Sequence, residues 1–220
     1  MTKNIVVLIS GRGRNLQALI DVWRAGKIPG RIAAVISNRA DVEGLDRARA
    51  AGIAAEVIPH ADYAARAEFD AALSAAIDRH QPDVVVMAGF MRVVGAEFIR
   101  RYRGRMLNIH PSLLPKYPGL RIHQRVLDAG DAEHGATVHF VTEELDGGPR
   151  VIQGRLSVRR QDTAETLAGR VLREIELRIY PQTVAWLTAG VLTLDGDAVM
   201  FKGRRLTAPL GMDELEEVFR

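Results

Sequence analysis

The 220 residues read as one α/β domain of the Rossmann-like, doubly wound kind, with a mostly parallel sheet, an antiparallel strand in its C-terminal half and a small C-terminal hairpin. Three observations predict this. Short runs rich in Val and Ile alternate with longer amphipathic runs through the first half of the chain, as strands do when helices cover both faces of a sheet. Two strand-like runs, ATVHFVT and RVIQGRLSV, then follow one another across a short Gly-containing link, which joins antiparallel neighbours. The length suits a single domain, and no stretch has linker composition.

NIVVLIS (4–10) is the first strand, ended by GRGRN (11–15), with a helix from Asn15 to about Ala25. RIAAVIS (31–37) is the second strand, followed by a helix near Gly44–Ala51 and a third strand, AAEVI (54–58). An Ala-rich helix across Tyr63–His80 and the strand DVVVMAG (83–89) come next, then a helix near Gly95–Tyr102 and the strand RMLNI (105–109). Pro111, Pro115, Pro118 and Gly119 forbid a regular element after it. A helix is expected near Ile122–Ala129, before the strands ATVHFVT (136–142) and RVIQGRLSV (150–158). A long helix over about Ala164–Ala189 carries Pro181, whose missing N–H and bulky ring predict a kink or break there. The tail VLTLDGDAVMFKGRRL has the form of a hairpin turning at Asp195–Gly196–Asp197, and the last residues that of a short helix.

Composition narrows the partners. Lys+Arg 30 against Asp+Glu 27 leaves a formal charge of +3 and a pI near 9.5. That excess suits a small anionic ligand, not the dense basic face that nucleic acid requires. The chain has no cysteine, which removes disulfides, zinc–thiolate sites and thiol nucleophiles and fits a reducing cytoplasm. The N-terminal apolar run is short and lacks a small-residue cleavage pattern, so it reads as a strand rather than a signal peptide. No run approaches the roughly 18 apolar residues of a membrane span.

Chemistry concentrates in a few places. Asn108 and His110 sit two apart at the carboxyl end of RMLNI, so they point to the same side, into the crevice where open α/β sheets bind ligands. A carboxamide donor beside a titratable imidazole can hold a carbonyl oxygen as it becomes negative and manage the proton released when an amine attacks. An arbitrary N-x-H is more often an Asn and a His satisfied by loop backbone; the strand end and the proline-rich loop shift the balance here. GRGRN follows the first strand and opens a helix, so its N–H groups and the helix dipole make an anion site suited to phosphate. G-x-G-x-x-G would need glycine where Leu16 stands, and no Walker lysine follows. A plain tight connection is the alternative, and Arg12, Arg14 and Asn15 favour a phosphate monoester.

AGFMRVVG (88–95) offers an apolar slot with a cationic rim for a flat, carboxylate-bearing ligand, or, for Phe90 and Met91, plain core; the residues alone favour core. HGATVHFVTEELDGGP (134–149) ends in Glu143, Glu144 and Asp146, one of which could orient or charge His110, although such runs are usually solvated turns and composition selects none of them. His134 and His139 lack metal-ligand spacing and no hard-metal carboxylate cluster is present, so no metal is expected.

NIVVLISGRGRNLQALID, AGFMRVV, MLNIHPSLLPKYPGL, HGATVHFVTEELDGGPRVIQGRLSV and EIELRIYP together resemble the phosphoribosylglycinamide formyltransferase family over about residues 3–205, and HPSLLPKYPG with ELDGGP is the most specific part. The resemblance implies a Rossmann-like fold that moves a formyl group from 10-formyltetrahydrofolate, a co-substrate, to the amine of glycinamide ribonucleotide, without a metal. It implies Asn108, His110 and Asp146 as the catalytic set. It places Gly13, Arg14 and Asn15 on the phosphate turn, with Glu176 and the neighbouring Arg173 on the ribonucleotide side. Around the folate it places Arg66, Met91, Arg92, Val93, Val94, Thr142, Glu143, Glu144 and Leu145.

On this resemblance, residues 1–220 form one formyltransferase domain, with a phosphate-binding half to about residue 104 and a folate and catalytic half from about 105. It would act in the cytoplasm, in de novo purine biosynthesis, as a monomer or homodimer on small molecules, with neither nucleic acid nor membrane as partner. Two residues depart from the pattern: Arg14 stands where members usually carry Ser, and Arg121 where many carry His, leaving His123 as the sole His of that segment. Methionyl-tRNA formyltransferase and formyltetrahydrofolate deformylase share the Asn, His and Asp chemistry, but each adds a domain for which this chain is expected to have no room. A non-catalytic nucleotide-binding module is expected to lack one of the three residues.

Overall fold

Ile5, Val7 and Ile9 pack into one core and Val6 and Leu8 into another, so the first strand is buried on both faces. Only an inner strand of a sheet covered on both sides has that pattern. In the computed structural model, which describes residues 2–219, this strand is β1 (Asn4–Ile9). It is followed by α1 (Arg14–Arg24), β2 (Arg31–Ser37), α2 (Glu43–Ala50), β3 (Ala54–Val57), α3 (Arg66–Asp78), β4 (Val84–Met87) and α4 (Ala96–Arg101). The second half comprises β5 (Met106–His110), α5 (Ile122–Ala129), β6 (Glu133–Phe140), β7 (Arg150–Ser157), α6 (Ala164–Val171) and α7 (Leu177–Ala189).

The sheet order is β3-β2-β1-β4-β5-β6-β7, and β6 alone runs against its neighbours. That is the reversed strand predicted from ATVHFVT, begun three residues earlier. Leu16 and Leu19 of α1, Leu45 of α2, Val126 of α5 and Ile179 of α7 cover one face; Phe69 and Leu73 of α3 with Phe98 of α4 cover the other. Strand order reverses between β1 and β4. At such a switch point the connections leave to opposite faces and open a crevice at the strands' carboxyl ends. The GRGRN turn leaves β1 there, segment 88–95 leaves β4, and Asn108 and His110 end β5 alongside.

Two expectations are corrected, and a third, the tail hairpin, is met and extended. α3 begins at Arg66 rather than Tyr63, because a 3₁₀ turn at His60–Asp62 and extended residues as far as Ala65 precede it. The tail is a three-stranded antiparallel sheet, β8 (Leu192–Asp195), β9 (Ala198–Phe201) and β10 (Arg204–Arg205), because Lys202 and Gly203, both with positive φ, turn the chain a second time. Pro181 does not break α7. The irregularity lies a turn upstream, where Leu172–Glu176 widen into a π-helical turn that joins α6 to α7 continuously. The proline ring presses on the carbonyl four residues before it, that of Leu177, so a wider turn just ahead of that residue is where the strain can relax.

His123 of α5 and His134 of β6 fix the helix to the sheet, Nδ1 to Nε2 at 3.0 Å. One nitrogen must donate and the other accept, so the contact excludes both rings being charged at once. Burial, reinforced by neighbouring imidazoles, depresses both pKa values, that of His134 to about 4. In the unfolded chain both return to about 6.5, so between these limits the unfolded state binds more protons and stability falls as the pH drops. The Tm should therefore decline from pH 7 to pH 4.5 more steeply in the wild type than in His134→Gln. Equal slopes in a thermal scan would remove this pair as the cause.

Candidate active site

Leu107 and Ile109 of β5 and Ala136, Val138 and Phe140 of β6 all pack into the core beneath α7. By alternation, Asn108, His110, Thr137 and His139 project from the opposite face. The register sets Asn108 opposite His139 and His110 opposite Thr137. His139 Nδ1 lies 2.9 Å from the Phe140 carbonyl and must donate to it, so Nε2 is the acceptor and takes a hydrogen bond from Asn108 Nδ2 at 3.2 Å. Burial lowers the His139 pKa, against the pull of Asp146, and keeps that tautomer neutral. The Asn108 amide is thereby oriented, with its second N–H left over.

Asp146 arrives from the connection between β6 and β7, which folds back across the sheet. Its Oδ2 lies 3.4 Å from His110 Nδ1 and accepts the Gly119 N–H at 2.9 Å, and its Oδ1 lies 3.9 Å from His139 Nε2. His110 Nε2 donates to the Tyr117 carbonyl at 2.9 Å. Both ring nitrogens of His110 thus face oxygen, and its side chain and that of Asp146 are 7% and 9% exposed. The proline-rich loop is anchored beneath them: Thr137 Oγ1 donates to the Ser112 carbonyl and accepts the Leu114 N–H, while Arg150 and Gln153 donate to the Leu114 carbonyl.

Across the crevice, Gly13 caps α1 with φ 68, a left-handed conformation in which a Cβ would also strike the Cα of Gly44 at 2.8 Å. The turn is seated on α2, with Gly44 N–H donating to the Gly11 carbonyl and Arg47 Nε to that of Arg12. Asn15 Nδ2 donates to Glu176 Oε2 at 2.7 Å, and Asn15 Oδ1 is buried without a protein partner. Burial raises the Glu176 pKa, opposed by the Asn15 hydrogen bond and the charge of Arg14. Arg14 is exposed, yet its charge reaches this carboxyl. Arg173 instead lies back over Gly169, one turn earlier.

Segment 88–95 divides. Phe90 and Val94 are core, as the residues predict for Phe90, whereas Met91 and Val93 are 72% and 55% exposed. Arg92 lies over the Phe69 ring at 6.0 Å, and Arg92 and exposed Arg66 both act electrostatically on buried Asp70, which accepts the Gly95 N–H. Val94 is the one residue implied for the folate pocket whose side chain is withdrawn into the core. Of the five large hydrophobics exposed among the described residues, Met91 and Val93 lie in this segment, and Leu120 and Leu145 are the chain neighbours of Gly119 and Asp146. Glu143 pairs with Arg100 at 3.6 Å and Glu144 is exposed, while Thr142 is half-buried at the base of the loop. His139 is the site residue that sequence reasoning missed; the alternation A-T-V-H-F was its signal.

A hydrogen-bonded amide, a His–Asp pair and a glycine turn opening a helix lie about the carboxyl ends of strands at a sheet's switch point, an arrangement suited to group transfer. A family model described as formyl transferase matches residues 3–184. The phosphoribosylglycinamide formyltransferase of Escherichia coli is 49% identical over 203 residues, covering 92% of this chain and 95% of that protein. Solved structures of phosphoribosylglycinamide formyltransferase from Coxiella burnetii and of glycinamide ribonucleotide transformylase 1 from Symbiobacterium toebii share 48% and 46% identity. They superpose with TM-scores of 0.90 and 0.87, covering 96% and 91% of this chain and 99% and 94% of theirs. The chain belongs to the formyl transferase family, and within it to the phosphoribosylglycinamide formyltransferases.

The Asp146 loop closes on Gly148, where a Cβ would collide with the Phe140 carbonyl oxygen, whereas the nearest atoms to one on Gly147 belong to the exposed Glu144 side chain, which can rotate away. Gly148→Ala must open the β6–β7 base and should cost more than about 2 kcal/mol in chemical denaturation. Gly147→Ala should cost under about 1 kcal/mol. Equal costs would show that the loop base is not what fixes Asp146.

Proposed function

We propose that the chain transfers the formyl group of 10-formyltetrahydrofolate to the amine of glycinamide ribonucleotide, in de novo purine biosynthesis. The observation that carries this is the convergence of Asn108, His110 and Asp146 between an anion-binding turn and an apolar-rimmed, arginine-bearing segment. The ribonucleotide phosphate sits on the N–H groups opening α1, and the buried Asn15 Oδ1 and Glu176 take its polar groups. The folate lies along Met91, Arg92 and Val93 and the Thr142–Leu145 strip, its carboxylates toward Arg66 and Arg92.

The acceptor amine attacks the formyl carbon and makes a tetrahedral intermediate. Its oxyanion is held by the free N–H of Asn108 and by His110 in its imidazolium form, which Asp146 stabilises. The amine proton passes by way of a water to the Asp146 carboxylate, the one basic group of the pair when His110 is an imidazolium, and is delivered to the folate nitrogen as the carbon–nitrogen bond to the donor breaks. No charge is left over: formylated ribonucleotide and tetrahydrofolate are the products.

Asn108→Ala and His110→Ala should each lower kcat about a hundredfold or more, with donor binding retained, because the lost contacts form chiefly in the transition state. Glycinamide ribonucleotide and methionyl-tRNA compared as acceptors test the substrate; preferential formylation of the tRNA, or near-normal turnover in both variants, overturns the assignment.

Arg14 offers a second check. If its guanidinium meets the phosphate, Arg14→Ser should raise the KM for the ribonucleotide and flatten its rise with ionic strength, leaving the donor KM unaltered. An unchanged KM with an unchanged salt response would leave the α1 amides as the whole phosphate site.

A further inference from the structure

Ser10 ends β1 immediately before the GRGRN turn, and its side chain is buried at the switch point, with the residue 4% exposed. Its hydroxyl accepts the Met91 N–H at 2.7 Å and donates to Asn38 Oδ1 at 2.6 Å, at the end of β2. Asn38 is 2% exposed and packs against His60 Nδ1 through both its amide, at 3.3 Å, and its carbonyl, at 3.0 Å. The His60 ring meets Phe69 edge-on at 6.5 Å, and Phe69 is the ring beneath the Arg92 guanidinium. Two consecutive residues of segment 88–95 are therefore held from below by one buried assembly, Met91 by its main chain and Arg92 by its side chain.

The contrast at Met91 is informative. Its side chain is 72% exposed, yet its amide hydrogen is committed to a buried hydroxyl. An apolar side chain presented to solvent on a pinned backbone is organised for a ligand, because the ordering cost is met before binding. Removing the hydroxyl would leave the Met91 N–H and Asn38 Oδ1 without that partner beside a nearly buried side chain, and the segment would have to lift to hydrate them fully.

We propose that Ser10 is a positioning residue for the formyl donor: its hydroxyl sets the height of segment 88–95 over the crevice, so that Met91, Arg92 and Val93 are preset before the donor arrives. This rests on the assignment of that segment to the donor. The chemistry at Asn108 and His110 lies on β5, outside the assembly, so loss of the hydroxyl acts on donor binding rather than on the bond-making step.

Amide hydrogen exchange on the wild type is the first test. The Met91 amide should exchange at least about a hundredfold slower than an unprotected amide, and exchange at the unprotected rate overturns the proposal. In Ser10→Ala that protection should fall tenfold or more while amides of β5 and α7 keep theirs. The donor KM should rise about tenfold, with kcat within about threefold and the ribonucleotide KM within about twofold. Unchanged Met91 exchange in Ser10→Ala, or a uniform loss of protection with both KM values raised together, overturns the positioning role. A freed Met91 amide with an unchanged donor KM places the fault in the donor assignment, and Ser10 then positions a segment with no part in donor binding.

Discussion

The antiparallel pairing of β5 with β6 in a single register governs the arrangement of the site. Asn108 meets His139 and His110 meets Thr137 only because Leu107, Ile109, Ala136, Val138 and Phe140 all turn into the core beneath α7. A slip of one residue would bring Val138 or Phe140 to the crevice and drive His139 into that core. Burial of a Val or Phe side chain is worth about 1.5 to 3 kcal/mol. A net hydrogen bond is worth about 1 kcal/mol. Apolar parity therefore outweighs the polar contacts and fixes the register, and the polar geometry of the site follows from core packing.

What the sequence made legible has the same origin. Short apolar runs and the breakers that end them are written in the side chains, so the strands, the reversed strand and the N-x-H pair at a strand end could all be read directly. His139 was overlooked because spacing along the chain was weighed for metal binding, whereas its part comes from cross-strand pairing with Asn108. Phe90 and Met91 are both apolar, and hydrophobicity alone does not separate a core residue at 8% exposure from a rim residue at 72%. Composition did not single out Asp146 from Glu143 and Glu144. Its backbone does so, since φ 54 is a left-handed conformation that Asp tolerates better than Glu, and the Gly119 N–H then fixes its carboxylate. Pro181 advertised strain but not where it would relax, because the backbone yields at the preceding turn rather than at the ring.

Two histidines lie within reach of one carboxylate. A charged His139, 3.9 Å from Asp146, would compete with His110 for it. Burial prevents this: desolvation outweighs the attraction of Asp146, and the Phe140 carbonyl fixes the proton on Nδ1. His139 then serves as an acceptor, occupying one N–H of Asn108 and leaving the Asp146 carboxylate free to pair with His110. The two imidazoles thus differ in setting: His139 has one nitrogen on a carbonyl and the other accepting from an amide, whereas His110 has oxygen at both, the Tyr117 carbonyl and the Asp146 carboxylate.

The anion turn shows a second division of charge. A buried carboxylate, Glu176, sits beside the turn that would hold a phosphate, and two negative groups in one crevice oppose each other. Burial by itself would push Glu176 toward its neutral form, and the Asn15 amide and the Arg14 charge pull the other way. The serine usual at position 14 in the family would bring a hydroxyl but no charge, so it could not offset either anion across the gap. An arginine there acts on Glu176 at a distance and, being exposed, remains free to turn toward a bound phosphate. In this chain position 14 therefore carries a charge that reaches Glu176 at a distance and weakens with salt, where the pattern read from the sequence would place a neutral hydroxyl.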